Sequence, residues 1–261
     1  MKNLGNLLGS DAATAYSQAI PLVTGIDGIS ILQYACPPPI QTRASLSSGE
    51  LAIAAEAART RKTEWFSYLE ILLELAAKAD FVAKGLLEAV DYHQENPRRR
   101  KWFDREQLEN GCLVDYVNNS QSKYPLALSS RVRAKGTHSR HIPLLDFHVE
   151  KTSIGFGLAI EITQKLVGPD FLFLATDRSF HSVGLRLLST TEYRRLLARA
   201  VLFSPVTDHA YAAHQMIEGE STLRISRGRY RTPPPIVIAV GSEGEVLTMP
   251  DLNRSGTFLK R

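Results

Sequence analysis

The decapeptide HIPLLDFHVE, residues 141–150, constrains this chain more tightly than any other stretch. Ile142, Leu144, Leu145, Phe147 and Val149 crowd into it, and Pro143 sits near its start, where a missing ladder donor is tolerable; the pattern predicts a buried strand. Side chains on a strand alternate between faces, so Asp146 and His148 point one way while Phe147 and Val149 point the other. A carboxylate and an imidazole therefore project together from a stiff element. A hydrogen-bonded buried aspartate beside a satisfied core histidine fits the same ten residues, because buried ionisable groups need partners. The rest of the chain has to decide between the two readings.

The 261 residues, 44% of them hydrophobic, suffice for one large domain or for a core domain with a smaller helical one. Basic residues outnumber acidic ones by only 31 to 27, but they are unevenly placed. RRRK at 98–101, RVRAKGTHSR at 131–140 and RISRGRYR at 224–231 contain no acid. Solvated loops are the commoner fate of such runs, yet three of them flanking a carboxylate site suit a phosphate-rich partner. Cys36 and Cys112 are the only cysteines, which excludes a disulfide framework and a four-thiolate zinc site; a reducing cytoplasm is the expected setting. No apolar run reaches the roughly 18–20 residues of a membrane span, and Asp11 interrupts a start that does not resemble a secretory signal.

The chain is expected to divide at 46 and 124. Residues 1–46 are read as an N-terminal arm or edge element: VTGIDGISILQY could hold a short strand, and CPPPI is an extended stop. Residues 47–124 are expected to be a helical segment. Ser47 and Glu50 are spaced as a capping box, and Trp65, Leu69, Leu72, Leu73 and Ala76 recur at helical intervals. Its last part, from 98 to about 125, reads as a charged surface excursion. Residues 125–261 then read as an α/β core. LALSSRVRAK predicts a strand with Arg131, Arg133 and Lys135 on one face, and Ser153 is expected to cap a helix from 154 to 167. FLFLATD and SFHSVGLRLL read as consecutive strands, which puts Ser179 and His181 on a common face. A helix over 191–203 follows, and Asp208 stands at the start of another as an N-cap or a presented carboxylate. PPIVIAV and EVLTM close as a hairpin around GSEG.

Asp146, His148, Ser179, His181 and Asp208 are the polar residues these elements bring to one side. Nucleotidyl transfer needs little beyond the placement of one or two divalent cations and neutralisation of a triphosphate. Mg²⁺ wants oxygen ligands, which makes Asp146 and Asp208 the natural pair, while an imidazole suits Mn²⁺ or a phosphate contact.

The combination PLLDFH, then RSFH, then TDHAYAAHQMIEGESTLRIS resembles the archaeo-eukaryotic primase (primase-polymerase) superfamily, most closely its bacterial primase-like members. Asp146-Phe147-His148 matches the first motif, Ser179-Phe180-His181 the second and Asp208 the third, over about 125–240. The resemblance implies an α+β, RRM-like mixed β-sheet core with flanking helices behind the N-terminal helical segment. It also implies that Asp146 and Asp208 hold Mg²⁺ or Mn²⁺, with His148 completing the candidate catalytic and metal set. Ser179 and His181 would contact the phosphates of the incoming nucleotide, and Arg224 would lie near the same cleft. Nucleic-acid contacts are expected from Arg131, Arg133, Lys135, Arg227 and Arg229. Where active members carry a second acid in the first motif, this chain has His148, which weakens a second metal site; Glu150 lies one pleat further along the same face.

The expected function is that of a metal-dependent nucleotidyltransferase acting on nucleoside triphosphates with a nucleic-acid template or primer, DNA or RNA. A catalytically weakened nucleic-acid or nucleotide-binding subunit of a multi-protein bacterial system is the alternative. A scaffold binding a protein partner through the N-terminal helices is the third reading.

Overall fold

The computed structural model describes residues 4–33, 99–120, 125–134, 139–227 and 233–249, all within one compact unit. Among them, two antiparallel sheets are packed with six α-helices. The six-stranded sheet runs β2 (Arg99–Asp104), β1 (Ile26–Gln33), β3 (Leu126–Ala134), β4 (Arg140–His141), β8 (Leu188–Ser189), with β9 (Thr222–Arg224) also paired to β3. The five-stranded sheet runs β11 (Glu245–Thr248), β10 (Ile236–Ser242), β6 (Phe171–Ala175), β7 (Phe180–Gly184), β5 (Leu144–Asp146). The helices are α1 (Ala12–Ala19), α2 (Arg105–Glu109), α3 (Cys112–Asn119), α4 (Ser153–Leu166), α5 (Thr190–Leu202) and α6 (His209–Glu218). No helix among the described residues is long and apolar enough to cross a membrane.

The period-two pattern of β6 explains the layering. Leu172 and Leu174 join Leu144, Val183, Val237 and Val240 in a core shared with Ile29, Ile31, Leu126, Leu128 and Val132 of the other sheet. Phe171 and Phe173 face the opposite way, with Leu145, Phe147 and Phe180, onto α4 and α5. Phe173 lies at the centre of this second cluster, with ring centroids 5.2–5.7 Å from Phe147, Phe156 and Phe180. Each such fully buried side chain contributes about 1.5–3 kcal/mol.

Several expectations need correction. Residues 26–33 are no edge element: β1 pairs with β2 on one side and β3 on the other. Asp27, Gly28 and Ser30 hide its alternation, because a strand covered on both faces has no clean polar side. Residues 99–120 are no surface excursion either. They supply β2, an edge strand that tolerates its charges, and two short helices that bury Leu108 and Leu113. The sheet is not mixed, since every strand pairing among the described residues is antiparallel. The helical expectation over residues 47–98 lies outside the described residues.

The stretch 141–150 is two short strands rather than one, divided at Pro143, whose missing N–H interrupts the ladder, so that β4 and β5 belong to different sheets. The α4 cap is Thr152 rather than Ser153, its hydroxyl accepting from the Gly155 amide at 3.1 Å. The GSEG hairpin forms as expected, with Glu243 and Gly244 both at positive φ.

Candidate active site

Three segments distant in sequence meet at the edge of the five-stranded sheet. β5 lies antiparallel to β7 in a register that sets Asp146 opposite His181 and Leu144 opposite Val183. Beyond Asp146 the chain keeps an extended course. Phe147 bridges to Thr207, the His148 amide donates to the Val206 carbonyl at 2.8 Å, and the Asp208 amide donates to the Asp146 carbonyl at 3.0 Å. Residues 206–208 therefore act as one more short strand on the outer edge of β5. Asp208 then caps α6, its Oδ1 accepting from the Tyr211 amide at 2.9 Å.

Two aspartate–histidine pairs result. His181 Nε2 lies 3.5 Å from Asp146 Oδ1, and His148 Nδ1 lies 3.9 Å from Asp208 Oδ2. Exposure grades across them: the His181 side chain is 6% exposed, the two carboxylates 29% and 28%, and His148 74%. One wall is thus closed by His181, the acids are half-open, and His148 stands at the solvent rim.

The second motif fastens the first. Ser179 Oγ accepts from the Val149 amide at 3.2 Å, which ties β7 to the chain leaving β5. A turn closed by Thr176 holds Ser179 in place, and Lys151 Nζ donates to the Thr176 carbonyl at 2.9 Å. Gly155 allows α4 to start directly over this loop, since a Cβ there would collide with the Glu150 carbonyl.

A buried polar network that sequence reasoning missed fixes the far end of α6. The Tyr193 hydroxyl meets the Gln215 carbonyl at 3.3 Å and Ser221 Oγ at 3.0 Å. The Ser221 amide reaches Ser130 Oγ at 2.9 Å, and Ser130 Oγ meets His141 Nδ1 at 3.2 Å. The His141 ring stacks on Tyr193 at 4.2 Å and 9°. Burial, helped by the neighbouring charge of Arg131 and opposed by Glu220, lowers His141 to about 4; burial also pushes the Tyr193 phenol up. Both rings are therefore uncharged at neutral pH. Beside them, Ser129 Oγ and Arg100 each donate to Glu220 at 2.6 Å. Burial raises Glu220, but these two donors and the charges of Arg100 and Arg131 outweigh it and hold the carboxyl below its usual range. None of these residues carries a local sequence signal, because their partners come from different strands.

Of the sequence-derived candidates, Asp146, His148, His181 and Asp208 come together, with Ser179 bound to the same loop. Arg224 lies on β9, which packs against β5, and its Nη1 donates to the Ser226 and Pro233 carbonyls at 2.8 Å each. Arg131 and Arg133 are exposed on β3 of the other sheet, and Arg227 is exposed beyond β9. Lys135 and Arg229 lie outside the described residues.

The divalent cation implied by the motifs can be tested against this donor set. Mg²⁺ is usually held by one or two carboxylates, with water and substrate phosphates completing its shell. Two half-open carboxylates on hydrogen-bonded backbone neighbours fit that arrangement. They do not make an all-protein cage: among the described residues, no group of three or more His, Cys, Asp or Glu side chains is placed to hold a metal ion.

The family model for archaeo-eukaryotic primase 1D-like domains matches residues 104–235, half of the chain, and spans all three motifs. No curated protein matches the chain. With its motifs converging at one sheet edge and that model covering the elements that carry them, the chain belongs to the archaeo-eukaryotic primase-like family.

Proposed function

We propose that this domain is a divalent-cation-dependent nucleotidyltransferase that extends a nucleic-acid strand from nucleoside triphosphates. The observation that carries the reading is the main-chain bond between Asp208 and Asp146 with His181 across the ladder, which sets two acids and a buried imidazole around one half-open position. In the reaction the hydroxyl oxygen of the growing strand forms a bond to the α-phosphorus and gives its proton to water at the half-open site, the bond from that phosphorus to the bridging oxygen breaks, and pyrophosphate leaves with that electron pair. A cation held by Asp146 and Asp208 would neutralise the triphosphate.

The chain's own residues position the reactants. Asp146 orients the His181 imidazole, and Nε2, the ring nitrogen that faces Asp146 and the half-open position, is the one that would donate to a phosphate oxygen. Ser179 holds the loop at Val149 so that His148 and Asp208 keep their spacing. His181, being almost closed off, binds the phosphate in a low-dielectric wall where a charge-assisted hydrogen bond is strong.

A second reading is favoured by one specific feature. His148 stands where a second acid would complete a two-cation site, and its pairing with Asp208 makes that position poorer in anionic oxygen. In that reading the domain binds nucleotide or nucleic acid within an assembly and turns nothing over.

Incorporation of labelled nucleoside triphosphates, with Mg²⁺ against Mn²⁺ and with primed and unprimed templates, separates the two. The enzyme reading expects incorporation in wild type and its loss in Asp146→Asn. Nucleotide binding that depends on Asp146 and His181 without incorporation under any of these conditions would move the assignment to the binding reading.

A further inference from the structure

The outward face of the six-stranded sheet, where Ser30 and Ser129 are buried, carries a partly exposed arginine–tryptophan cluster that belongs to none of the three motifs. Register places Trp102 opposite Ser30 and Arg133 opposite Gly28, while Ile29, Ile31, Phe103 and Val132 point into the core. Alternation therefore gathers Arg100 and Trp102 of β2, Ser30 of β1, and Arg131 and Arg133 of β3 on the other face.

Gly28 leaves a lane across β1, and through it the Arg133 guanidinium lies 4.4 Å from the Trp102 ring centroid. The guanidinium of Arg100 is 5.7 Å from the same ring. Arg100 is held rigidly, donating to Ser30 Oγ at 3.0 Å and to Glu220 at 2.6 Å. Arg131 and Arg133 are exposed, and Trp102 is only half-buried. Asp104, the acid at the end of β2, turns its carboxylate onto the Gln107 amide at 2.8 Å to cap α2.

A half-open indole on an edge strand, lined by guanidinium groups, has the chemistry of a base-stacking platform. Aromatic rings bind unpaired bases through their π-faces, arginines add cation–π contacts and phosphate hydrogen bonds, and neither can reach the base faces of an intact duplex. We propose that Arg100, Trp102, Arg131 and Arg133 form a binding platform for single-stranded nucleic acid, with a base stacked on Trp102 and the backbone phosphates paired with Arg131 and Arg133. This surface lies on the sheet opposite the Asp146 site and does not depend on that site being active.

The chain has two tryptophans, so Trp65→Phe leaves Trp102 as the only indole reporter. Titrating that protein with oligothymidylate, oligouridylate, a duplex of equal length and heparin reads stacking directly through Trp102 emission. Quenching by one or both single strands is expected. In anisotropy titrations on the full chain, Trp102→Ala is expected to weaken binding about tenfold, within the range for loss of one stacked base, while Trp102→Phe retains most of it. Arg131→Ala with Arg133→Ala is expected to lower the slope of log affinity against log salt by about 1.4, the value for two lost phosphate contacts on a single strand. These titrations are read without nucleotide or divalent cation and incorporation is read separately, so failure of the active-site reading and failure of this one are distinguishable. Trp102 emission unmoved at saturating oligonucleotide, or heparin and duplex bound as tightly as single strands with Trp102→Ala without effect, would overturn the proposal. If Trp65→Phe does not fold, the same titrations of wild type and Trp102→Phe isolate the Trp102 signal by difference.

Discussion

The amide of Asp208 donates to the carbonyl of Asp146 at 3.0 Å. Two acids some sixty residues apart are thereby set side by side by the main chain, and neither carboxylate has to hold the other in place. Changes to either side chain leave this bond intact, which lets chemistry and architecture be probed separately.

Asp208 both caps α6 and offers Oδ2 to the site, and the two roles separate by substitution. Asn caps about as well as Asp, whereas Ala loses about 1 kcal/mol. Asp208→Asn should therefore melt like wild type and Asp208→Ala a few degrees lower, as read by thermal unfolding. Nucleotide incorporation should fall about a hundredfold or more in both, because an essential charge is gone in each. Retention of activity in Asp208→Asn would assign the residue to the cap alone.

Ser179→Ala removes the acceptor of the Val149 amide, at a cost of about 1 kcal/mol for one hydrogen bond. Hydrogen exchange at Val149 should quicken while that of β6 stays unchanged. A change confined to nucleotide affinity, with normal protection at Val149, would make Ser179 a phosphate contact and not a staple.

His141 has its folded value lowered to about 4, so folding disfavours the protonated ring. Stability from this residue is complete above the unfolded value near 6.5 and is lost as pH falls from there towards 4, by on the order of 3 kcal/mol in total. Urea titrations at stepped pH should show this decline. His141→Phe keeps a ring against Tyr193 and should flatten it, although Ser130 Oγ loses one partner.

Glu220 accepts from Arg100 and from Ser129 and is held below its usual range, so its contribution is present above about 4.5 and fades as pH falls through its lowered folded value. Glu220→Gln should cost about 2 kcal/mol near neutrality, less than a sealed pair would, because Arg100 keeps some access to water. Denaturant unfolding at pH 7 tests this. If Arg100 orients Trp102, the same substitution should also shift the Trp102 emission.

The candidate residues were legible because strand alternation is a local property. Asp146 with His148, and Ser179 with His181, follow from period two, and Asp208 announces itself as a cap before an apolar helix. Much of the order of elements after residue 125 was legible for the same reason. The interior position of β1 was not, since a strand buried on both faces shows no amphipathic signal. The break at Pro143 and the placing of β4 and β5 in separate sheets were hidden as well, because hydrophobic content alone does not say which sheet a strand joins.

By itself, the sequence determined which side chains share a strand face, where α4, α5 and α6 start to within a residue, and which motif family the chain resembles. Only the tertiary structure decided that Asp208 lies beside Asp146, that His181 is enclosed while His148 is open, and that Trp102 shares a face with Arg133. The physical reason is one of range. Backbone geometry fixes the direction of a side chain over a few residues, whereas pairing between distant segments is settled by loop closure, register and the burial of both sheets against a common core.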